Sequence, residues 1–428
     1  MKIELPRKVV LIIKNLQRHG YDAYAVGGCV RDSILNRKPE DWDITTSAKP
    51  EQVKRIFRRT VDTGIEHGTV TVLIGKDGFE VTTYRVDGLY EDLKRRDFTI
   101  NAMAYNDDER LVDAFGGMRD LNYHLIRCVG DPKERFSEDA LRILRAVRFS
   151  AQLAFPIEPE TAEAIKSLAP NLEKISAERI QAELVKLLVS EHPERIQDAC
   201  ELGITKVVLP EWDDMVGVKQ NTPHHKYDVA AHTVHALQNV KNDKVLRLTM
   251  LFHDMGKPVM KTTDENGRDH FKGHAIASEQ IAKTVMKRLK FDNDTIRKVT
   301  KLVAYHDYRM EPTGANVRRA MHEIGVELFP YYLAVRLADT KAQSSYERRG
   351  KLENIIQIRE LYRNALRNKE CVTLKDLAVT GTDLINLGIA PGKELGTLLN
   401  ELLDMVIEDP AWNQKGKLCD YVKERFGF

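Results

Sequence analysis

The first part of the chain alternates helix-like and strand-like patterns of apolar residues. Four apolar residues recur every three to four positions ahead of Gly20 and predict an amphipathic helix: Val9, Val10, Ile13 and Leu16. The unbroken apolar run 23–26 predicts a short buried strand, and helical spacing returns over residues 29–35. Residues 41–44 alternate polar and apolar side chains, which predicts a second strand.

The patterns that follow predict a small α+β layer and then helices. Residues 49–59 favour a helix, and two strand-like runs, 69–74 and 79–84, are joined by a Lys-Asp-Gly turn. Apolar positions at helical spacing predict a helix over 137–149, and the pattern stays helical through 156–209. The expected fold class is therefore α+β, with a small mixed sheet near the start of the chain.

Composition narrows the class of protein. At 428 residues the chain is too long for one compact core, and 42% hydrophobic with 30% charged residues is typical of a globular protein. No apolar run is long enough for a membrane span and the opening residues do not read as a signal peptide, so a cytoplasmic enzyme without membrane contact is expected. The five scattered cysteines form no Cys-x-x-Cys pair, which argues against disulfides and a structural zinc site. A net charge of +2 argues against a uniformly positive surface, so any nucleic-acid binding would depend on local basic patches.

Two glycines end the first predicted strand. Gly27 and Gly28 have no Cβ, so the backbone there can approach a ligand closely. The helix that follows would direct free N–H groups at a phosphate, and Arg31 would add positive charge. The plainer alternative is a tight turn with no ligand.

A pair of carboxylates follows. On a strand, Asp41 and Asp43 point to the same face, and two adjacent carboxylates repel each other unless a cation such as Mg²⁺ lies between them. A phosphate site next to such a pair indicates phosphoryl or nucleotidyl transfer. Glu80 lies between apolar neighbours on a predicted strand and is either a third carboxylate at the metals or a surface glutamate.

Two further charged segments suit a nucleotide. Arg95, Arg96 and Asp97 precede an apolar segment, where two cations and a carboxylate could hold a triphosphate and a ribose 2′-OH, or could form only a capped helix start. The predicted helix 137–149 gathers further charges on one face, where solvated salt bridges are the alternative. These charges are Glu138, Asp139, Arg142, Arg145 and Arg148.

The order of these motifs resembles the class II, bacterial-type tRNA nucleotidyltransferases, the CCA-adding enzymes of the polymerase-β-like superfamily. The resemblance covers about residues 20–210 and rests on Gly-Gly with Arg-Asp, Asp-x-Asp, RRDFTINA, Glu-Asp-x-x-Arg and AERIQAE. It implies that Arg96 and Asp97 recognise the ribose and that Asp139 and Arg142 hydrogen-bond the edge of the incoming base. It also implies further roles, phosphate contact for Arg145 and Arg148 and bracing of the base-reading helix for Glu178, Arg179 and Glu183.

A second group of polar residues lies beyond residue 220. Eight of the 13 histidines fall between His224 and His306. Burying the adjacent pair His253-Asp254 among apolar residues costs several kcal/mol unless a partner or metal is present. The order of four residues resembles the metal ligands of the all-helical HD phosphohydrolases: His232, His253, Asp254 and Asp339. His274 and His306 fall at positions of additional ligands in that superfamily, and hydrolysis is left open against a vestigial or structural module.

The resemblance divides the chain into four expected domains. They are a nucleotidyltransferase head (1–136), an all-α neck carrying the base-reading residues (137–215), an HD domain (216–345) and a tRNA-binding tail (346–428). Residues 341–370 hold eight Lys or Arg and four Glu, a basic stretch that could follow an RNA backbone. Residues 384–398 predict two helices around a tight turn at Pro391-Gly392.

The expected activity is addition of two cytidines, with or without a final adenosine, to the tRNA 3′ end from CTP and ATP, with Mg²⁺ as cofactor and a possible second divalent metal in the HD domain. Residues 86–94 form only a short link ahead of Arg95, where CCA-adding relatives have a long flexible loop. This favours a CC-adding enzyme that leaves the adenosine to a separate enzyme. The alternatives are a full CCA-adding enzyme, a poly(A) polymerase, and an HD phosphohydrolase or nucleotide sensor with a non-catalytic head.

Overall fold

The computed structural model describes residues 2–85 and 88–427 and divides into two compact units. The first unit comprises Met1–Leu187 and Gln197–Val208, and the second comprises Leu188–Ile196 and Leu209–Phe428. This division is coarser than the four predicted domains, whose boundaries stay predictions.

The first unit is built on a seven-stranded mixed sheet with the strand order β3-β4-β5-β2-β1-β6-β7. The strands are β1 (Ala23–Val26), β2 (Ile44–Thr46), β3 (Thr60–Gly64), β4 (Thr69–Ile74), β5 (Asp77–Thr83), β6 (Ala104–Asn106) and β7 (Arg110–Val112). Strand β1 pairs antiparallel with β2 and β6, whereas β2 pairs parallel with β5. The predicted α+β class with a small mixed sheet is confirmed.

Helices cover and extend this sheet. They are α1 (Arg7–Arg18), α2 (Gly28–Ile34), α3 (Pro50–Ile56), α4 (Leu89–Lys94), α5 (Gly117–Asn122), α6 (Pro132–Glu138), α7 (Leu141–Leu153), α8 (Pro159–Leu168), α9 (Ala177–Leu188), α10 (Ile196–Glu201) and α11 (Thr205–Val208). Helix α1 buries the apolar face that its spacing predicts, with Val9, Ile12, Ile13 and Leu16 inside. Strand β1 is buried at all four residues, as its unbroken apolar run predicts.

The predicted strand over residues 41–44 is wrong in its start, because β2 begins only at Ile44. The pairing of β1 with β2 ends at Ala25 and Ile44, and one further backbone bond joins the Val26 N–H to the Asp43 carbonyl (3.0 Å). The chain then turns away at Gly27 (φ +80°), so β1 offers no backbone partner to Asp41. Asp41 and Asp43 therefore lie on the segment that leads into the strand.

The predicted helix over residues 137–149 is also wrong in one respect, because it is two helices. Helix α6 ends at Glu138, Asp139 is extended (φ −150°, ψ 102°), and α7 begins at Leu141. The Asp139 carboxylate accepts the backbone N–H of Leu141 at 3.1 Å, a local bond that competes with continuation of the helix. Asp139 thus lies in a joint, while Arg142, Arg145 and Arg148 share a face of α7.

The second unit is helical apart from the two-residue strands β8 (Thr262–Thr263) and β9 (Asp269–His270). Its helices are α12 (Pro210–Asp213), α13 (Val229–Gln238), α14 (Lys244–Phe252), α15 (Lys257–Met260), α16 (His274–Arg288), α17 (Asn293–Tyr305), α18 (Gly314–Ile324), α19 (Phe329–Ala342), α20 (Arg348–Arg367), α21 (Gly381–Asn386), α22 (Lys393–Glu408) and α23 (Lys415–Phe426). The pair His253-Asp254 follows the end of α14, not its interior, and the turn predicted at Pro391-Gly392 precedes α22. None of the helices in residues 2–85 and 88–427 is long and apolar enough to cross a membrane.

Candidate active site and candidate metal centre

Three carboxylates lie near the paired strands β2 and β5: Asp41 and Asp43 on the segment that leads into β2, and Glu80 within β5. Because Ile44 pairs with Val81 in parallel register, the residues that precede them, Asp43 just ahead of β2 and Glu80 within β5, are neighbours. The surrounding protein, which displaces water, raises the pKa of the Asp43 carboxyl, and repulsion from Glu80 raises it further. Arg96 opposes these effects and Asp41 adds a smaller repulsion. All three carboxylates keep exposed surface, so their mutual repulsion and hard oxygen ligands fit Mg²⁺.

The glycine pair lies beside an arginine of the predicted nucleotide site. A Cβ on Gly27 would be 3.1 Å from Arg96 Nη1, so the absent side chain leaves room for that guanidinium. Gly28 starts α2, as predicted. Arg31 is buried instead of reaching into open space, because its side chain binds Asp32 (2.8 Å) and donates to Asn101 Oδ1 (2.7 Å).

A cavity of about 290 Å³ brings together five of the predicted nucleotide-binding residues. They are Arg96, Asp97, Asp139, Arg142 and Arg145. The wall also contains Arg95, the other cation of the predicted triphosphate site, and five residues for which no nucleotide contact is predicted: Thr82, Arg85, Asp92, Leu141 and Arg179. Its arginines outnumber its aspartates six to three. The cavity therefore favours anions, which suits a nucleoside triphosphate.

Asp97 is tightly held inside this cavity. Its Oδ1 accepts from the Phe98 N–H (2.8 Å) and from Asn101 Nδ2 (3.2 Å). Its Oδ2 accepts from Nε (2.8 Å) and Nη2 (2.7 Å) of Arg145. Burial alone would raise the pKa of Asp97, but the Arg145 guanidinium lowers it below its usual value. Four donors fill the usual capacity of a carboxylate, so a ribose hydroxyl would have to displace one of them.

The two predicted base-reading residues are each held by neighbours. Asp139 Oδ2 pairs with Arg179 (2.7 Å). Arg142 donates to the Arg95 carbonyl (2.8 Å) and pairs with Glu138 (2.8 Å). These bonds fix both side chains at the cavity wall before any base is present.

Arg148 lies away from the cavity. It is buried, pairs with Glu183 (2.6 Å), and its guanidinium lies 3.7 Å from the Phe149 ring centroid. Burial lowers the pKa of Arg148 to about 10, with Glu183 opposing the shift. Glu183 is also 3.8 Å from Arg145, so the contacts of Glu183 and Arg179 fit the bracing role predicted for them. Glu178 is exposed.

Sequence reasoning missed Asn101 and Phe149. Asn101 joins Arg31 to Asp97 through its amide. Phe149 lies within 5.4 Å of the guanidinium carbons of Arg31, Arg145 and Arg148. Two features of the sequence point to these residues: Asn101 is the amide within the RRDFTINA motif, and Phe149 is an aromatic residue directly after Arg148.

The second unit contains two groups of three potential metal ligands, each with ligand atoms within 4.8 Å of one another. The first group is His232, His253 and Asp339, and the second is Asp254, His274 and His306. All four predicted HD ligands are thus brought together, along with the two additional histidines. Among residues 2–85 and 88–427 no head carboxylates form a group this tight.

The ring nitrogens in this cluster are oriented by the backbone. Nδ1 of His253, His274 and His306 each lies 2.6–2.8 Å from a main-chain carbonyl, which can only accept, so each Nδ1 carries the proton. Their Nε2 lone pairs therefore point inward: His274 and His306 face each other at 3.1 Å, and His253 faces His232 at 3.4 Å. The facing lone pairs of His274 and His306 repel unless a proton or a metal ion lies between them, and the donor set of the cluster fits a divalent metal.

Asp254 connects the two groups. Its Oδ2 lies 3.3 Å from His253 and 3.5 Å from His232, and its Oδ1 lies 3.5 Å from His274 and 3.6 Å from His306. Burial would raise the pKa of Asp254, but His253 and Lys257 lower it well below the usual value. A cavity of about 710 Å³ opens above the cluster. Its wall includes the cations Lys257, Arg268, Lys272 and Arg309.

Comparison with known proteins agrees with the fold and with the family that the sequence resembles. Residues 23–127 match the model of the poly A polymerase head domain, 154–216 that of the RNA- and SrmB-binding site of polymerase A, and 274–422 that of tRNA nucleotidyltransferase domain 2. The CCA-adding enzyme of Levilactobacillus brevis is 35% identical over 430 residues, covering 96% of each chain. That of Pediococcus pentosaceus is 33% identical over 431 residues, with the same coverage.

A solved structure is similar along nearly the whole chain. The CCA-adding enzyme of Bacillus stearothermophilus, crystallised in complex with CTP, has a TM-score of 0.77 at 29% identity and covers 99% of this chain and 98% of that chain. The mixed sheet and its helices thus have the fold of a nucleotidyltransferase. The chain belongs to the tRNA nucleotidyltransferases of the CCA-adding enzyme family.

Proposed function

We propose that this tRNA nucleotidyltransferase adds two cytidines to the tRNA 3′ end and adds the final adenosine poorly. The observation that carries the proposal is the small number of residues between the end of β5 at Thr83 and the start of α4 at Leu89. Helix α4 leads to Arg95, whose carbonyl holds Arg142. Changing the base that Arg142 reads requires that side chain to move, and a short link gives α4 little freedom to release it.

The head residues have distinct roles in this proposal. Asp41, Asp43 and Glu80 would hold Mg²⁺, which when bound lowers the pKa of the tRNA 3′-OH and stabilises the pyrophosphate leaving group. Asp139 accepts hydrogen bonds from the base edge and Arg142 donates to it. Arg96 and Arg145 line the cavity and bind phosphates. Asp97 either holds Arg145 in place or exchanges one of its donors for a ribose hydroxyl. Gly27 and Gly28 let the triphosphate approach the backbone, while the buried Arg31 and Arg148 support the site from behind.

Complete CCA addition is the second candidate. The relatives that cover 96% of this chain are named CCA-adding enzymes, and their names favour addition of all three nucleotides. They also favour tRNA over the polyadenylation considered as a runner-up. If the first candidate holds, the product ends in CC and a separate ATP-dependent nucleotidyltransferase must complete it.

The test uses three substrates and catalytic amounts of enzyme. A tRNA lacking CCA is given CTP alone or CTP with ATP, and a tRNA already ending in CC is given ATP. The proposal predicts rapid addition of two cytidines and little extension of the CC end. A product ending mainly in CCA, with rapid use of ATP on the CC end, would establish the second candidate.

For the second unit we propose a divalent metal centre held by His232, His253, Asp254 and Asp339, with His274 and His306 as further ligands. The inward-facing Nε2 atoms carry this proposal. Metal bound there would activate water for hydrolysis, and the cationic wall of the cavity suits a phosphate ester. A His253→Ala, Asp254→Ala double variant should lose metal and any phosphoesterase activity while still extending tRNA. Loss of tRNA extension instead would show that the two sites are not independent.

A further inference from the structure

The two oxygens of Asp339 have different partners. Oδ1 lies 3.0 Å from His232 Nε2, inside the metal-ligand group. Oδ2 accepts from the side-chain amide of Gln343 at 2.9 Å. Gln343 directly follows α19, one turn beyond Asp339, and is only 5% exposed. One oxygen thus faces the metal cluster and the other is tied to a buried amide.

The orientation of that amide is fixed by a lysine. Gln343 Oε1 accepts from Lys351 Nζ at 2.7 Å. Because an ammonium group can only donate, the oxygen of Gln343 must face Lys351 and the NH₂ group must face Asp339. The Gln343 carbonyl also accepts from Arg348, so both ends of the residue are held by the first turn of α20.

Lys351 has an unusual set of partners. Among the residues that the structure describes, no ion pair with a carboxylate includes it, and its ammonium contacts Gln343 Oε1 and His224 Nδ1 (3.2 Å). Burial lowers the pKa of Lys351, and repulsion from Arg309 adds to this effect. Lys351 is thus a half-buried cation whose ammonium group contacts the neutral amide of Gln343. That amide is bound to the Asp339 carboxylate, so Lys351 acts on the carboxylate through the amide.

We propose that Gln343 and Lys351 are positioning residues for the metal centre, holding Asp339 so that Oδ1 faces the metal. This inference rests on the proposed metal centre and adds its outer shell. Carboxylates that bind metals are themselves hydrogen-bonded, and loss of such an outer partner typically weakens metal binding about 10–100-fold. Without Gln343 the carboxylate is free to rotate away from the cluster.

Co²⁺ titration of the full chain tests the proposal, because the visible absorbance of Co²⁺ reports both affinity and ligand geometry. Gln343→Glu keeps the size of the side chain and an acceptor for Lys351 but cannot donate to Asp339 when ionised, and Lys351→Met removes the donor to Gln343. Each should raise the Co²⁺ dissociation constant about 10–100-fold and alter the spectrum. The matched control is Arg349→Met, on the same turn of α20 with its side chain 93% exposed, and it should bind Co²⁺ like the wild type.

A double variant shows whether the two residues act in series. Because Lys351 acts through Gln343, Gln343→Ala with Lys351→Met should be no weaker in Co²⁺ binding than Gln343→Ala alone. Thermal unfolding by circular dichroism confirms that each variant is folded. Wild-type affinity and spectrum in folded Gln343→Glu or Gln343→Ala would overturn this inference alone. Failure of the wild type to bind Co²⁺ would overturn the metal centre and this inference with it.

Discussion

The carboxylate site of the head and the histidine cluster of the second unit place their potential metal ligands in opposite surroundings. In the head, Asp41, Asp43 and Glu80 are exposed and repel one another. In the second unit, His232, His253 and Asp254 are at most 1% exposed, and backbone carbonyls fix the tautomers of three histidines.

This contrast leads to an expectation about when each site would take up metal. Exposed carboxylates with few neighbours bind Mg²⁺ weakly until the phosphates of a substrate supply the remaining ligands. Buried imidazoles with preset lone pairs need no substrate to complete a ligand set. We therefore expect the head to acquire metal with its nucleotide and the second unit to retain metal when nothing else is bound.

The largest effect is expected at the head carboxylates. Asp41→Ala or Asp43→Ala should reduce nucleotide addition to less than a few per cent of wild type without unfolding the protein, because each removes a metal ligand from an exposed position. Asp77→Ala, which breaks an exposed ion pair with Lys8, is the control. Substantial incorporation by either site variant, measured with labelled CTP and tRNA, would rule out this centre.

Removing metal tests the histidine cluster of the second unit. A chelator should lower the thermal stability of the wild type, since a ligand present at 100 times its dissociation constant stabilises the folded state by about 2.7 kcal/mol. Differential scanning calorimetry measures the shift, and a His253→Ala variant should show none. Equal shifts in both proteins would mean that the cluster holds no metal.

A smaller effect is expected for base selection in the head. Asp139→Ala with Arg142→Ala should relax nucleotide choice more than it weakens triphosphate binding, because Arg96 remains to hold phosphates. Loss of a buried polar pairing usually removes about 1–3 kcal/mol of discrimination. The ratio of kcat/KM for CTP and UTP measures it, and an unchanged ratio would contradict the base-reading assignment.

The smallest effect concerns the backbone at the head site. Gly27 and Gly20 have similar positive φ values, +80° and +85°. A Cβ at Gly27 would lie 3.1 Å from Arg96 Nη1, whereas a Cβ at Gly20 would meet no atom within 4 Å. Ala at either position should cost on the order of 1 kcal/mol of unfolding free energy from backbone strain. Gly27→Ala alone should also raise KM for CTP, and equal kinetics in the two variants would argue against a role for this close approach.

Local patterns predicted the elements better than their joints. The runs that became β1 and β4 were correctly located because the first is unbroken and apolar, the second alternates, and both are too short for a typical helix. The break at Asp139 was missed because a helical spacing continues across it, while a side-chain bond to Leu141 ends the helix. The start of β2 was missed because it depends on where its partner strand turns away.

The candidate sites show the same division. Motif residues such as Asp43 and His253 were found because their chemistry is visible in short stretches. The partners of other motif residues were found only in the structure: the Arg95 carbonyl accepts from Arg142, and the side-chain amide of Gln343 donates to Asp339. Arg31 and Arg148 were expected at phosphates, but the structure buries both behind the cavity.

The central claim is that the head and the second unit hold metal independently and differently. The most direct measurement compares wild type, Asp43→Ala and His253→Ala in two assays: metal content after dialysis without nucleotide, and cytidine addition to tRNA with Mg²⁺ present. We expect Asp43→Ala to keep its metal and lose addition, and His253→Ala to lose its metal and keep addition. Loss of both properties together in either variant, or metal-free wild type, would contradict this claim.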